Sequence, residues 1–310
     1  MPKPLDLSGD FAYTRQDCLQ LPLDDNSVDL VLGSPPYEAA RTYDIGFNLK
    51  GDAWVEWAAD RYMEHLRVCK GLVAWVVEGQ VNRSEWSATP ALLMAELRRR
   101  GAILRKPPIF HRVGICGGGG HIKQHLDQGG SADWLRNDWE FIVCATKTRG
   151  KLPWADTLWE KRPPKYSTGG AMSNRTAEGR RVNKRKNHRS LRAPNGKRNG
   201  DVAPNSRRPF PKYVNPGNVI KCKVGGGHIG SKLAHENEAP YPEQLAEFFV
   251  RSFCPLGGVV LDPFSGSGTT AAVAIRHGRR AVACDIRQSQ IRLTRERVAE
   301  VYAELGVADA

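Results

Sequence analysis

The apolar positions of this chain fall into short strand-like runs separated by longer stretches of helical spacing. Val28-Asp29-Leu30-Val31-Leu32 is too short for a helix and predicts a buried strand. The Trp-rich stretch 53–68 predicts a helix, residues 71–77 a second strand, and residues 90–100 a helix closed by Gly101. Residues 102–110 and 139–145 read as further strands. The regularity is lost over residues 147–213, where aliphatics thin out to Leu152, Leu158, Val182, Leu191 and Val202. It returns at Tyr241 with a helix over PEQLAEFFVRSF, a strand at 259–261 and a glycine turn. A helix over 269–277, a stop at Gly278, a strand over 280–284 and an amphipathic helix over 288–305 complete the chain. Strands and helices alternating on this spacing predict an α/β sheet with helices on both faces.

Charge changes this picture in one place. The 310 residues carry a formal net charge of +13. Between residues 147 and 223 there are 21 Lys and Arg against 4 Asp and Glu, so the excess positive charge is concentrated there. The segment is either a solvated insertion or a polyanion-binding surface that orders on contact, and charge alone leaves these even. Two similar runs flank it, GGGHIK at 118–123 and GGGHIGSK at 225–232. They read as hinge loops or as backbone nests for phosphate, with hinges favoured. No apolar run is long enough to span a membrane, and the N-terminal MPKPLDLSGDF lacks a signal-peptide core. Seven singly spaced cysteines point to reduced thiols in a cytoplasmic protein, with no disulfide and no metal site.

Two strand ends carry candidate chemistry. The first reads GSPPY, residues 33–37, and closes a core strand with two consecutive prolines between a serine and a tyrosine. The second reads VVLDPFSGSGTT, residues 259–270: strand, carboxylate, tight glycine turn, helix start. Glycines at 266 and 268 let the backbone approach a ligand, and Thr269 and Thr270 suit a helix N-terminus. Asp285, at the end of the next strand, follows Asp262 by 23 residues, the spacing at which a carboxylate takes ribose hydroxyls in a doubly wound sheet. No lysine follows the second glycine, and Asp262 would repel a pyrophosphate. A ligand with a ribose and a cationic centre fits better, and S-adenosylmethionine is such a ligand.

SPPY after a strand, with DPFSGSGTT some 230 residues later, resembles the β-class of DNA amino-methyltransferases. QDCLQLPLDDNSVDLVLGSPPY is similar to that family's opening stretch and NDWEFIVCATKT to its last motif before the recognition region. HENEAPYPEQLAEFFVRSFCPLGGVVLDPFSGSGTT is similar to its closing stretch. The resemblance implies a doubly wound, Rossmann-like S-adenosylmethionine-dependent methyltransferase sheet with circularly permuted motif order. Residues 1–146 would form the catalytic half, 147–223 an inserted basic target-recognition region, and 224–310 the cofactor-binding half. It further implies that Ser34, Pro35, Pro36 and Tyr37 are catalytic. Cofactor contacts would come from Asp17, Cys18, Ser34 and Pro242, from Asp262, Pro263, Phe264, Gly266, Ser267, Gly268, Thr269 and Thr270, and from Asp285. Within these, Asp285 would hold the ribose, Asp262 and the turn the methionine half, and Asp17 the adenine amino group. Duplex DNA would be held by Arg180, Arg181, Lys184, Arg185, Lys186, Arg189, Arg207 and Arg208. A monomer or homodimer encoded by a bacterium, archaeon or phage is implied, with a separate cognate restriction endonuclease as a companion.

The chemistry of SPPY accords with this assignment. An exocyclic amino group is a poor nucleophile because its lone pair is delocalised into the ring. Acceptors on its two N–H groups favour rehybridisation and attack on the methyl group. Proline fixes the backbone, so the Pro35 carbonyl is able to aim at the amino group, with the Ser34 side chain as a second polar contact. Tyr37 offers an aromatic face for a base swung out of the duplex. In the family, S-P-P-Y goes mostly with cytosine and D-P-P-Y mostly with adenine, and an uncharged serine does not oppose the neighbouring ring nitrogen of cytosine. N4 of cytosine is therefore favoured over N6 of adenine. An RNA amino-methyltransferase and a DNA-binding protein without catalysis are the remaining alternatives.

Overall fold

The computed structural model describes residues 4–38, 45–82, 85–114, 137–164, 212–224, 228 and 230–307. Its strands and helices run in the order β1 (Phe11–Arg15), β2 (Val28–Gly33), α1 (Gly51–Val68), β3 (Cys69–Val77), a small hairpin β4 (Val81–Asn82) and β5 (Glu85–Trp86), and α2 (Thr89–Arg99). Then come β6 (Ile103–Leu104), β7 (Ile109–Val113), β8 (Trp139–Thr146) and β9 (Val219–Lys223). A 3-10 turn (Lys232–Glu236), α3 (Glu243–Phe253), β10 (Val259–Asp262), α4 (Thr269–Arg276), β11 (Arg280–Asp285) and α5 (Gln288–Leu305) complete the series.

Among the described residues nine strands form one sheet in the order β1-β11-β10-β2-β3-β8-β7-β9, with β6 pairing to β8 beside this path. The strands from β1 to β3 are parallel; β8 is antiparallel to β3 and to β7, and β9 closes the far edge parallel to β7. Two strands from the last fifth of the chain thus lie between two from its beginning. Val73, Trp75 and Val77 of β3 join one apolar cluster with Trp54, Ala58 and Tyr62 of α1 and Leu93 and Leu97 of α2. The alternate residues of β3, Leu72, Ala74 and Val76, are buried outside that cluster, which places them on the opposite face. Helices α3, α4 and α5 pack together beside β2, β10 and β11. The sheet is therefore covered on both sides, the doubly wound α/β arrangement.

Three elements depart from the pattern read along the chain. Residues 102–110 form two strands, because Pro107 and Pro108 have no N–H to give a ladder. Arg105 N donates to Cys144 O before this break and Ile142 N to Pro108 O after it, so β8 supports both pieces. β1 and β9 are edge strands whose mixed burial hides them from a periodicity search. β9 lies inside the basic stretch 147–223 yet pairs with β7 from Ile109↔Val219 to Val113↔Lys223.

By its contacts the chain divides into two compact units, residues 1–156 with 217–310, and residues 157–216. In the smaller unit Thr157 Oγ1 donates to Asn215 Oδ1 at 2.9 Å and Val214 N to Arg162 O at 3.0 Å. The eight DNA-contact candidates from Arg180 to Arg208 lie outside the described residues, as do the 118–123 glycine run and half of its counterpart at 225–232. Among the described residues no helix is long and apolar enough to cross a membrane.

Candidate functional site

Parallel strands deliver their carboxyl ends to one edge of the sheet, and a crevice forms outside them. β10 pairs with β2 in the register Leu261↔Val31, so the tip of β10, at Asp262, stands beside the tip of β2, at Gly33. Two motifs 228 residues apart in sequence become neighbours in this way. The approach is close: a Cβ added at Gly33 would lie 2.9 Å from Asp262 Oδ1 and 3.0 Å from Pro263 Cδ.

A cavity of ≈ 570 Å³ opens over these tips, within the range of small-ligand pockets. Ser34, Pro35, Pro36 and Tyr37 line it from the end of β2. Asp262, Pro263, Phe264, Gly266 and Thr269 line it from the glycine turn, with Asp285 from β11. Asp17, Cys18 and Pro242 also reach it. Ser267, Gly268 and Thr270 do not; they lie buried behind the wall.

The glycine turn is held from behind by the last helix. Thr294 Oγ1 is 3.1 Å from both Ser265 Oγ and Gly266 O. Arg297, 1% exposed, donates to Thr269 Oγ1 at 2.9 Å and to Glu243 Oε1 at 2.7 Å. Gly266 and Gly268 take φ of +50° and +80°, and a Cβ at Gly268 would meet the Thr294 backbone at 2.9 Å. Only glycine lets α5 come this near the turn. Phe264, which caps the cavity floor, is set edge-on against Trp75 at 5.1 Å between ring centroids.

The carboxylates differ in their partners. Asp285 accepts from Gly266 N at 3.1 Å and Arg287 N at 2.9 Å. Burial raises its pKa and these N–H bonds oppose the shift. Asp17 accepts from Arg61 Nε at 2.9 Å in a two-point pair, and that guanidinium stacks on Trp57 at 4.3 Å. Asp262 is 2% exposed and has neutral donors, Phe264 N at 3.1 Å and Tyr241 Oη at 3.4 Å. Among the described residues no cationic side chain pairs with it. Burial pushes its pKa up to about 7, with the Asp285 charge adding to the shift and the Thr270 hydroxyl and Phe264 N–H opposing it. A buried carboxylate facing a cavity without a cation is a site for a cationic ligand group. The arrangement therefore fits a nucleoside bearing a positive centre.

At the other end of the cavity, Pro36 O accepts from Trp54 Nε1 at 2.9 Å, while no hydrogen bond reaches the Pro35 carbonyl among the described residues. Of the two proline carbonyls, that of Pro36 is the one already engaged by a described donor. Tyr37 Oη donates to Glu140 Oε2 at 2.8 Å, and Glu140 Oε1 pairs with Arg112 at 3.1 Å. Glu140, Arg112, Arg61, Trp57 and Tyr241 are cavity residues that no sequence argument had selected. Tyr241 stands directly before Pro242 in the closing stretch and Glu140 lies within NDWEF, so both fall inside motifs that the sequence displays. Arg61, Trp57 and Arg112 carry no local signal.

A family model described as DNA methylase, N6_N4_Mtase, matches residues 28–296. The chain is 25% identical over 280 residues to the orphan methyltransferase M.BamHII of Bacillus amyloliquefaciens, covering 88% of this chain and 89% of that protein. It is 34% identical over 104 residues to the type II methyltransferase M.ScaI of Streptomyces caespitosus, about a third of each chain. Among solved structures, the cytosine-N4-specific PvuII DNA methyltransferase superposes with a TM-score of 0.64 at 14% identity, covering 98% of this chain and 95% of that one. A Thermus thermophilus protein described as a DNA modification methylase, complexed with S-adenosyl-L-methionine, gives 0.54 at 22% identity, covering 94% and 96%. These likenesses support the fold.

Proposed function

The chain belongs to the DNA methylase family, and on that premise we propose that it transfers a methyl group from S-adenosylmethionine to N4 of cytosine at a specific site in duplex DNA. The observation that carries this reading is the juxtaposition of Ser34 and Pro35 with the tip of β10, where a buried carboxylate without a cationic partner among the described residues stands one strand away. S-adenosylmethionine, when bound, supplies an electrophilic methyl group on a sulfonium. Asp262 balances the positive charge of its methionine half, and Asp285, anchored by Gly266 N and Arg287 N, accepts from the ribose. The Pro35 carbonyl and Ser34 Oγ accept the two amino hydrogens of the target base, so that its lone pair turns out of the ring. Tyr37 presents its ring to the flipped base while its hydroxyl is fixed by Glu140. Positioning and electrostatics supply the acceleration, with no covalent adduct to the protein.

The SPPY form of the motif, which in the family it resembles goes mostly with cytosine, favours that base over adenine. The basic stretch, including Arg180, Arg181 and Lys184, supplies contacts to the phosphate backbone. Mass spectrometry of nucleosides digested from product DNA tests the assignment. N4-methyldeoxycytidine is expected. N6-methyldeoxyadenosine would overturn the choice of base, and the absence of any methylated nucleoside would overturn the enzyme reading.

A further inference from the structure

Methylation of an amino nitrogen leaves that nitrogen positively charged until one N–H proton departs. The cavity contains a chain of oxygens beginning at the residue proposed to touch that nitrogen. Ser34 Oγ has two acceptors within reach, Val76 O at 3.1 Å and Tyr37 Oη at 3.3 Å. A hydroxyl has a single proton, and its rotation selects between them. Tyr37 Oη in turn donates to Glu140 Oε2 at 2.8 Å. Glu140 is brought here by topology: β8 runs antiparallel to β3, so the start of β8 lies beside the end of β3 and in front of SPPY. Ser34, Tyr37 and Glu140 all line the cavity.

We propose that Ser34, Tyr37 and Glu140 form a relay that removes the proton released by amino methylation. The proposal rests on the methyltransferase reading above. One N–H bond of the methylated amino group breaks and a new O–H bond forms at Ser34 Oγ. The original Ser34 proton passes to Tyr37 Oη, and the Tyr37 proton passes to Glu140 Oε2. One carboxylate becomes a carboxylic acid, the amino group becomes neutral, and the proton leaves to solvent between turnovers. No oxidant, reductant or further reactant is consumed.

The other acids of the cavity are less suited to this task. Asp17 is held at two points by Arg61, and Asp262 and Asp285 belong to the glycine-turn side assigned to the cofactor. Among the described residues, the charged or titratable groups facing Glu140 are Arg112 from β7, Tyr37 from the loop after β2, and Glu78 from the end of β3. Glu78 Oε1 accepts from Gly79 N and Trp86 Nε1. Burial raises the proton affinity of Glu140, while Arg112 and the Tyr37 hydroxyl hold it toward the ionised form. Its place at the end of the Ser34–Tyr37 oxygen chain lets it take the proton without that proton first reaching water.

Single-turnover methylation of a duplex at saturating S-adenosylmethionine, measured against pH in the full-length protein, tests the relay. Glu140→Gln should lower the rate by about a hundredfold, the scale of a lost proton acceptor, with S-adenosylmethionine affinity by calorimetry unchanged within about twofold. The wild-type rate should fall at acid pH as Glu140 takes up a proton, and this limb should vanish in Glu140→Gln, which does not titrate. Tyr37→Phe should slow the reaction similarly, the double variant should be no slower than either single one, and Glu140→Asp should recover part of the rate together with the acid limb. A Glu140→Gln protein with the wild-type rate, or a slowed one that keeps the acid limb, overturns the relay. Wild type assayed alongside separates the two ideas. Product from wild type with a full-speed Glu140→Gln removes the relay alone, whereas no product from wild type removes the methyltransferase reading and the relay with it.

Discussion

On the proposed function, the carboxyl group of Asp262 should make cofactor affinity depend on pH. It is 2% exposed, and its pKa is pushed up to about 7, chiefly by burial. A ligand with a cationic half requires the ionised form, so binding below pH 7 displaces a proton. At pH 6 about one molecule in eleven is ionised, which lowers the apparent affinity about tenfold, or about 1.4 kcal/mol, relative to the plateau above pH 8. Titration calorimetry at pH 6 in buffers of different ionisation enthalpy should show close to one proton released per cofactor. The amino group of the ligand titrates near pH 8 on its own, but Asp262→Asn shares that contribution, so the difference between the two proteins isolates Asp262. The same shift has an opposite effect on the free protein. Between pH 3.8 and 7 the native state binds more protons than the unfolded chain, so stability from this group is full below that window and lost as pH rises through it. The loss amounts to about 4 kcal/mol at most, and Asp262→Asn should therefore bind the cofactor more weakly while melting higher than wild type at pH 8. Affinity flat from pH 6 to 8, with heats independent of buffer, would refute this account of Asp262.

Asp285→Ala removes a charge-assisted acceptor worth about 1.5–3 kcal/mol, so cofactor affinity by calorimetry should fall about ten- to a hundredfold. Gly33→Ala inserts a Cβ 2.9 Å from Asp262 Oδ1 and 3.0 Å from Pro263 Cδ; overpacking of about 1–3 kcal/mol should appear as a lower melting temperature and weaker cofactor binding. Arg297→Leu leaves Glu243 without one of its two guanidinium partners and the glycine turn without its support; denaturant titration should show a loss of about 1.5–3 kcal/mol, the scale of a lost charge-assisted hydrogen bond. Removing residues 170–207 should flatten the fall of log DNA affinity with log salt, by about 0.9 for each phosphate no longer neutralised, while cofactor binding persists.

Periodicity and two short motifs were enough to read much of this molecule along the chain. The final helix, Gln288–Leu305, was legible to the residue, and β2, β10 and β11 to within one. Their sequences are uniformly apolar or cleanly amphipathic, so local preference and tertiary burial agree. SPPY and DPFSGSGTT marked the strand tips that line the cavity, because a strand ending in paired prolines or in a glycine turn is conspicuous in one dimension. Edge strands were not legible: half of β9 faces solvent, and its lysines look like the rest of a basic segment. Partnership was not legible either. That Arg61 pairs with Asp17, that Arg297 props the glycine turn, and that Glu140 meets Tyr37 follow from strand order and register. Contacts between residues 28 to 103 positions apart are set by how the sheet is assembled, and no local pattern encodes them. Local sequence chose the segments that become strands and set reactive side chains at their ends. The assembled sheet, by inserting β10 and β11 between β1 and β2, chose which of those ends face one another.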